Sequence, residues 1–297
     1  MLVAGIACCG CSLRDYALKE FADAVARSGT TLANDEDPEL IKAAAPFSLK
    51  LLESLLAENP QHQGLLSAAA SGFTQYAFAF VQQEADEVEA RDLATAEALR
   101  TRARRLYLRA QHYGLRGLEV QHPGFTNALL ANPRAAVSAA TEADLPFLYW
   151  TATAWAAAIS LSKDNPALVA QIPAMEALMD RALELDERYA RGAIHTFLIT
   201  YEMSRPGAPG DPAARARRHF EQAMVLSEGE DASPLVALAE AVAVKRQDVK
   251  EFESLLNRAL AIDPDANPDR RLLNVVMQRR ARWLLSRKAE LFLTDNE

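Results

Sequence analysis

Cysteine is nearly absent from this 297-residue chain, and its three copies, Cys8, Cys9 and Cys11, all fall at the start. No disulfide framework therefore supports the body of the protein, and the three belong to an N-terminal feature. Aromatic residues are sparse, at 7%, which suits helices packed through Ala and Leu. Sustained apolar–polar alternation and Asn-Gly hairpin turns are missing, so no stretch reads as a strand. Positive charge is in deficit. The net charge of −8 argues against a nucleic-acid groove as the main surface. Catalytic signatures are lacking as well, with no Gly-x-Ser-x-Gly elbow and no Gly-rich phosphate loop. His62, His112, His122, His195 and His219 form neither a His-x-x-x-His nor a His-Glu-x-x-His pair. The histidine spacing points to no resident metal, and no motif points to catalysis or a cofactor.

What is present is a repeated helix ending. Asn257-Arg258-Ala259-Leu260-Ala261-Ile262-Asp263-Pro264 echoes Asp180-Arg181-Ala182-Leu183-Glu184-Leu185-Asp186-Glu187, with a weaker copy at Glu221–Glu228. Aligned, the copies begin at Arg181, Gln222 and Arg258, 41 and 36 residues apart. Arg116–Pro123 and Ser54–Pro60 close two upstream helical stretches similarly, at nearly doubled spacing. Such periods, near the tetratricopeptide value of about 34, predict a helix–turn–helix solenoid. The fold expected is all-α, a degenerate tetratricopeptide-type solenoid of about twelve helices. Residues 1–11 form a signal-like segment and residues 12–297 a single helical-repeat domain.

Met1–Cys9 is apolar, uncharged and too short to span a bilayer. Followed by Gly10-Cys11-Ser12, it looks like a bacterial lipoprotein signal, with Cys11 as the lipid-bearing residue of an envelope protein. Ser12 would permit sorting to the outer membrane. The tract departs from that pattern in having no Lys or Arg before the apolar run and Cys8 where an aliphatic residue is usual. A soft-metal tract at Cys8–Cys11 is the rival reading, but no second pair or nearby His completes four ligands.

Helical spacing continues through Leu13, Tyr16, Ala17, Phe21, Ala24 and Val25, until Ser28-Gly29. Asp37-Pro38 starts the next helix, which carries Leu40, Ala44, Phe47, Leu51 and Leu55, and Pro46 should kink or divide it. Gln63–Val88 is apolar almost all round, so it is expected to be buried on several sides, with Ala94–Val120 as its antiparallel partner. Arg100–Arg105 follows Glu84, Asp86, Glu87 and Glu89, and reads as a solvated, salt-bridged helix face. Phe125–Val137 looks irregular. Leu145–Lys163 pairs with Ile172–Leu185, Tyr189–Met203 with Pro212–Leu226, and Pro234–Val244 with Val249–Ile262. Pro268–Phe292 closes the array with a charged capping face.

Several phrases, in order, carry a family resemblance: Ser71–Phe80, Tyr149–Ala152, Ala157–Lys163, His195–Glu202, Ala239–Val244 and Gln278–Leu285. Together they resemble the T component of tetratricopeptide-associated TRAP transporters, from the Cys11 region to about Leu291. The resemblance implies an all-helical periplasmic lipoprotein with cryptic repeats. It also implies association into a homotrimer and docking to the periplasmic solute-binding P component. Membrane contact would be through the N-terminal lipid only.

In such arrays the first helix of each pair lines the concave side. The candidates for a ligand channel are Gln75, Tyr76, Phe80, Gln83, Trp155, His195, Tyr201, Glu202 and Glu240, polar or amphipathic groups set among apolar ones. Phe73, Phe80 and Phe197 also read as core, and His195 as a hydrogen-bonded core histidine. Glu202 and Glu240, if buried, each need a cationic or polar partner. Tyr76, Trp155, Tyr201 and Glu240 are expected on one concave surface. Trp150 lies about 140° from Trp155 around the helix and is expected to pack instead. The expected function is a T component that docks the P component and provides passage for an apolar or carboxylated solute. A repeat scaffold that grips an envelope protein and passes no solute is the alternative.

Overall fold

A computed structural model describes residues 20, 22–26 and 32–293. Cys11, the other cysteines, Leu13, Tyr16, Ala17, Phe21 and Ser28-Gly29 lie outside the described residues. Helix α1 (Pro38–Glu58) starts where Asp37 Oδ1 accepts from the amides of Glu39 and Leu40 at 3.0 and 3.1 Å, with Pro38 at the first helical position. It runs unbroken through Pro46, because one missing backbone donor is outweighed by the packing of Ile41, Ala45, Leu49 and Leu52. The face it buries is a quarter-turn from the one carrying Leu40, Ala44 and Phe47. Leu40 is 56% and Phe47 74% exposed.

Helix α2 (Gln63–Ala77) continues through a π-helical turn, Phe78–Gln82, into α3 (Gln83–Val88). Helix α4 (Leu93–Gln121), capped by Asp92, packs on α2 as its long partner. Expected irregular chain proves to be two short helices, α5 (Phe125–Ala131) and α6 (Pro133–Val137). The second is capped by the Asn132 side chain with Pro133 at its first position, a start signal readable in the sequence. Then follow α7 (Leu145–Ser160), the short α8 (Pro166–Val169), α9 (Ile172–Leu185), α10 (Tyr189–Tyr201) and α11 (Pro212–Leu226). Helix α12 (Ala232–Leu238) passes into a second π-turn, Ala239–Ala243. Helices α13 (Val249–Leu260), α14 (Arg271–Ser286) and α15 (Lys288–Leu291) end the array. No strand occurs among the described residues, so the protein is all-α, as its sequence leads one to expect.

The pairs α2/α4, α7/α9, α10/α11 and α12/α13 stack, and the successive first helices α2, α7, α10, α12 touch one another, giving an inner layer that ends on α14. Contact between α4 and α7 is close because Gly114 and Gly117 face Thr151 and Phe147; a Cβ on Gly117 would overlap the Phe147 ring. Two apolar clusters result. One gathers residues from Ala22 to Leu198 and the other residues from Ile199 to Phe292, so the division falls inside α10. That helix begins with three left-handed residues, Ala190 (φ 47°), Arg191 (φ 60°) and Gly192 (φ 88°). Positive φ at Ala and Arg is strained, by roughly 1–3 kcal/mol each. Arg191 holds it by donating to the Ser227 carbonyl at 2.7 Å and the Glu230 carboxylate at 2.8 Å. The superhelix returns its end to its beginning, since α14 also packs against α1.

Candidate functional site

Where α14 meets the N-terminal helices an apolar cavity of about 360 Å³ remains. Helix α1 contributes Ile41, Ala45, Leu49 and Leu52, all from its buried face. Helix α2 brings Gly72, Gln75, Tyr76 and, in the π-turn, Phe78 and Phe80. The wider turn displaces side chains that a regular α-helix would keep in register, and such turns recur at binding sites. Leu272, Leu273 and Val276 of α14 close the opposite wall, with Arg270 at its end. Arg270 is already clasped by the buried Asp231 through Nε at 3.0 Å and Nη2 at 2.5 Å. The lining is thus hydrocarbon with few polar groups, the composition of a site for an apolar molecule.

Next to the cavity the chain ends are joined by charge. Arg279 donates to Glu87 at 2.7 and 3.0 Å and to Glu39 at 3.1 Å. Arg280, only 8% exposed, spans Asp86 at 2.8 Å and Glu240 at 2.5 Å, and lies 4.3 Å from the Trp283 ring centroid. The last helix was expected to turn its charged face outward as a cap. Instead Arg280 turns inward and the half-exposed Arg279 pairs across the seam, because the superhelix carries them round to the acids of α1 and α3.

Three of the nine candidate residues, Gln75, Tyr76 and Phe80, line this cavity. Gln83 is buried just beyond the π-turn, and its amide has no hydrogen-bond partner among the described residues. Glu240 is exposed and belongs to the charged seam. Trp155 corrects the expectation. It is 1% exposed and donates from Nε1 to Gln171 at 3.0 Å, while Trp150 is the half-buried one, edge-on to Tyr149. The two do point apart as spacing requires, but the large ring with a partner for its N–H takes the interior.

His195, Tyr201 and Glu202 gather elsewhere, so the four residues expected on one concave surface are dispersed. Tyr201 donates to Glu176 at 2.9 Å, beside a polar cavity of about 660 Å³ between α6 and α9. The buried Glu202 accepts from Arg205 at 3.1 Å and from Arg215 Nε. Burial alone would raise its carboxyl, but hydrogen bonds and charge from Arg215 and Arg205 prevail and hold it below the usual range. His195 is a buried, hydrogen-bonded histidine, its Nδ1 2.9 Å from Nδ1 of His219.

Burial, then the neighbouring His195, pushes His219 down to about 4 against an ordinary 6.5; Glu202 opposes this, and Arg218 and Arg205 reinforce it. Between those two values the unfolded chain carries a proton that the folded one refuses, so stability falls as pH drops from 6.5 toward 4. His219→Phe should flatten that slope. Melting temperatures of both forms at pH 7 and pH 5 check it, and an undiminished slope in the variant would remove the histidine pair as its cause.

The fold and cavity define an all-helical body with a solvent-open apolar cavity at the junction of its ends. A family model, TRAP transporter T-component, matches residues 34–292. The chain is also 30% identical over 304 residues to an uncharacterised protein of Treponema pallidum (strain Nichols), covering 96% of this chain and 94% of that protein. The chain belongs to the TRAP transporter T-component family. That family is transport-related and not a known enzyme family.

Proposed function

We propose that this T component docks the periplasmic solute-binding P component of its transporter and offers passage to an apolar or carboxylated solute. The observation that carries the reading is the apolar cavity of about 360 Å³, with Gln75 and Tyr76 among hydrocarbon walls. The protein works in the periplasm as a homotrimer, held to the envelope by a lipid on Cys11. Sedimentation velocity on the lipid-free protein mixed with its purified solute-binding subunit is expected to show a co-sedimenting complex, and independent boundaries at micromolar concentration would end the docking reading. Expressed behind a secretory leader, the full chain should partition into detergent and Cys11→Ala should stay aqueous. Equal partitioning of the two would remove the lipid anchor.

A further inference from the structure

The outward face of α4 carries Arg102, Arg105, Arg109, His112 and Arg116, at steps of three and four residues that keep one side of a helix. In a chain of net charge −8 such a stripe is an anomaly. The sequence suggests a salt-bridged face here, and Arg100 does pair with Glu89 and Asp86. The stripe itself does not follow suit. Among the described residues the one carboxylate paired with it is Glu53 of α1, which takes Arg109, Lys50 and, at 2.8 Å, the Tyr113 hydroxyl. Among the described residues Arg102 and Arg105 form no ion pair.

Three guanidinium groups of the stripe are nonetheless held in place. Arg102 lies 5.9 Å from the Tyr76 ring centroid with Nη2 3.4 Å from the Tyr76 hydroxyl. Arg109 lies 5.1 Å from the Phe73 centroid, and Arg116 lies 5.5 Å from that of Tyr113 while donating to the Pro60 carbonyl at 2.8 Å. Stacking fixes the planar forks without neutralising them, which lowers the ordering cost of a later contact. A row of arginines stacked on aromatic rings, in which Glu53 neutralises only Arg109, is the composition of a protein-binding surface, where Arg and aromatic residues supply most of the energy. The flat, stacked forks suit the bidentate geometry of side-chain carboxylates.

We propose that the α4 stripe forms a docking surface for an acidic partner protein. Resting on the transport reading above, that partner is the solute-binding subunit, presenting a row of carboxylates some 20 Å long, the span of fourteen helical residues.

The test measures affinity for the purified solute-binding subunit by titration at several salt concentrations. It compares the wild type, Arg102→Glu/Arg105→Glu, and a control of equal charge change, Arg188→Glu/Arg258→Glu. Wild-type affinity should fall with salt. The stripe variant should bind at least about 30-fold more weakly, as reversed charges at an interface do. The control should stay within about twofold of wild type. Equal binding by the stripe variant overturns this surface and leaves the docking reading intact. A wild type that binds the subunit at no salt concentration overturns both. Anionic phosphatidylglycerol vesicles are titrated in parallel. If they, and not the subunit, lose binding in the stripe variant, the stripe serves a lipid surface and the proposal fails.

Discussion

Trp155→Ala should lower stability by about 3–5 kcal/mol, the range for deleting a large aromatic from a close-packed interior. The indole is 1% exposed and its N–H is bound to Gln171. Alanine leaves both a void and an unpartnered amide oxygen, and the neighbours on α7 and α9 are too constrained to collapse into the space. Trp150→Ala should cost clearly less, because that ring is half-buried. Denaturant unfolding of the two variants decides the matter. If the order were reversed, Trp155 would be the accessible ring and the interior described here would be wrong.

A loss of similar size, about 3–5 kcal/mol, is expected for Arg215→Met, which keeps the aliphatic stem and removes the charge. Arg215 donates to the Glu202 carboxylate and carbonyl and to the carbonyls of Pro209 at 2.7 Å and Gly210 at 3.0 Å. Removing it leaves a buried carboxylate with Arg205 alone and releases the 206–211 loop. Arg205→Met should cost less, since Arg205 is the more exposed of the two. Glu202 titrates below its ordinary 4.5, so its contribution is complete above that value and fades as pH falls through the folded one. In Arg215→Met the carboxyl should titrate higher and acid sensitivity should begin at higher pH. Melting curves from pH 7 to pH 3 test this, and an unchanged acid midpoint would show that Arg215 does not set the state of Glu202.

Much of the fold was legible because the chain marks its helix starts. Asp37-Pro38 and Asp211-Pro212 place a capping carboxylate before a proline that needs no donor, and Ile172–Leu185 and Pro212–Leu226 run as their apolar periods indicate. Helix α1 was harder, since two adjacent stripes are apolar. Leu40, Ala44 and Phe47 satisfy the spacing as well as Ile41, Ala45 and Leu49, and only tertiary packing chooses the second. The left-handed residues Ala190 and Arg191 carry no local signal, because Gly and Asn are the types that mark that conformation and neither stands there. Both π-turns are likewise silent in composition.

The candidate site was legible in part. Gln75, Tyr76 and Phe80 stand on the stretch of α2 that lines the cavity. The opposite wall comes from Leu272, Leu273 and Val276, some two hundred residues away in sequence. Their arrival depends on the summed rotation of the whole stack, which no window of local pattern contains. Arg279 and Arg280 illustrate the same limit. On a helical wheel they are surface charges, and closure of the superhelix turns them into the seam between its ends.

The cavity is the centre of this account, and equilibrium titration with a fluorescent long-chain carboxylate tests it most directly. The wild-type protein should bind the probe at micromolar concentration. Ala79→Phe, which fills the chamber, and Gln75→Trp, which obstructs it from α2, should each weaken binding at least about tenfold, or ~1.4 kcal/mol. Both variants should keep the helical spectrum of the parent. Equal binding by all three proteins, or none by the wild type, would contradict the assignment of this chamber as the solute site.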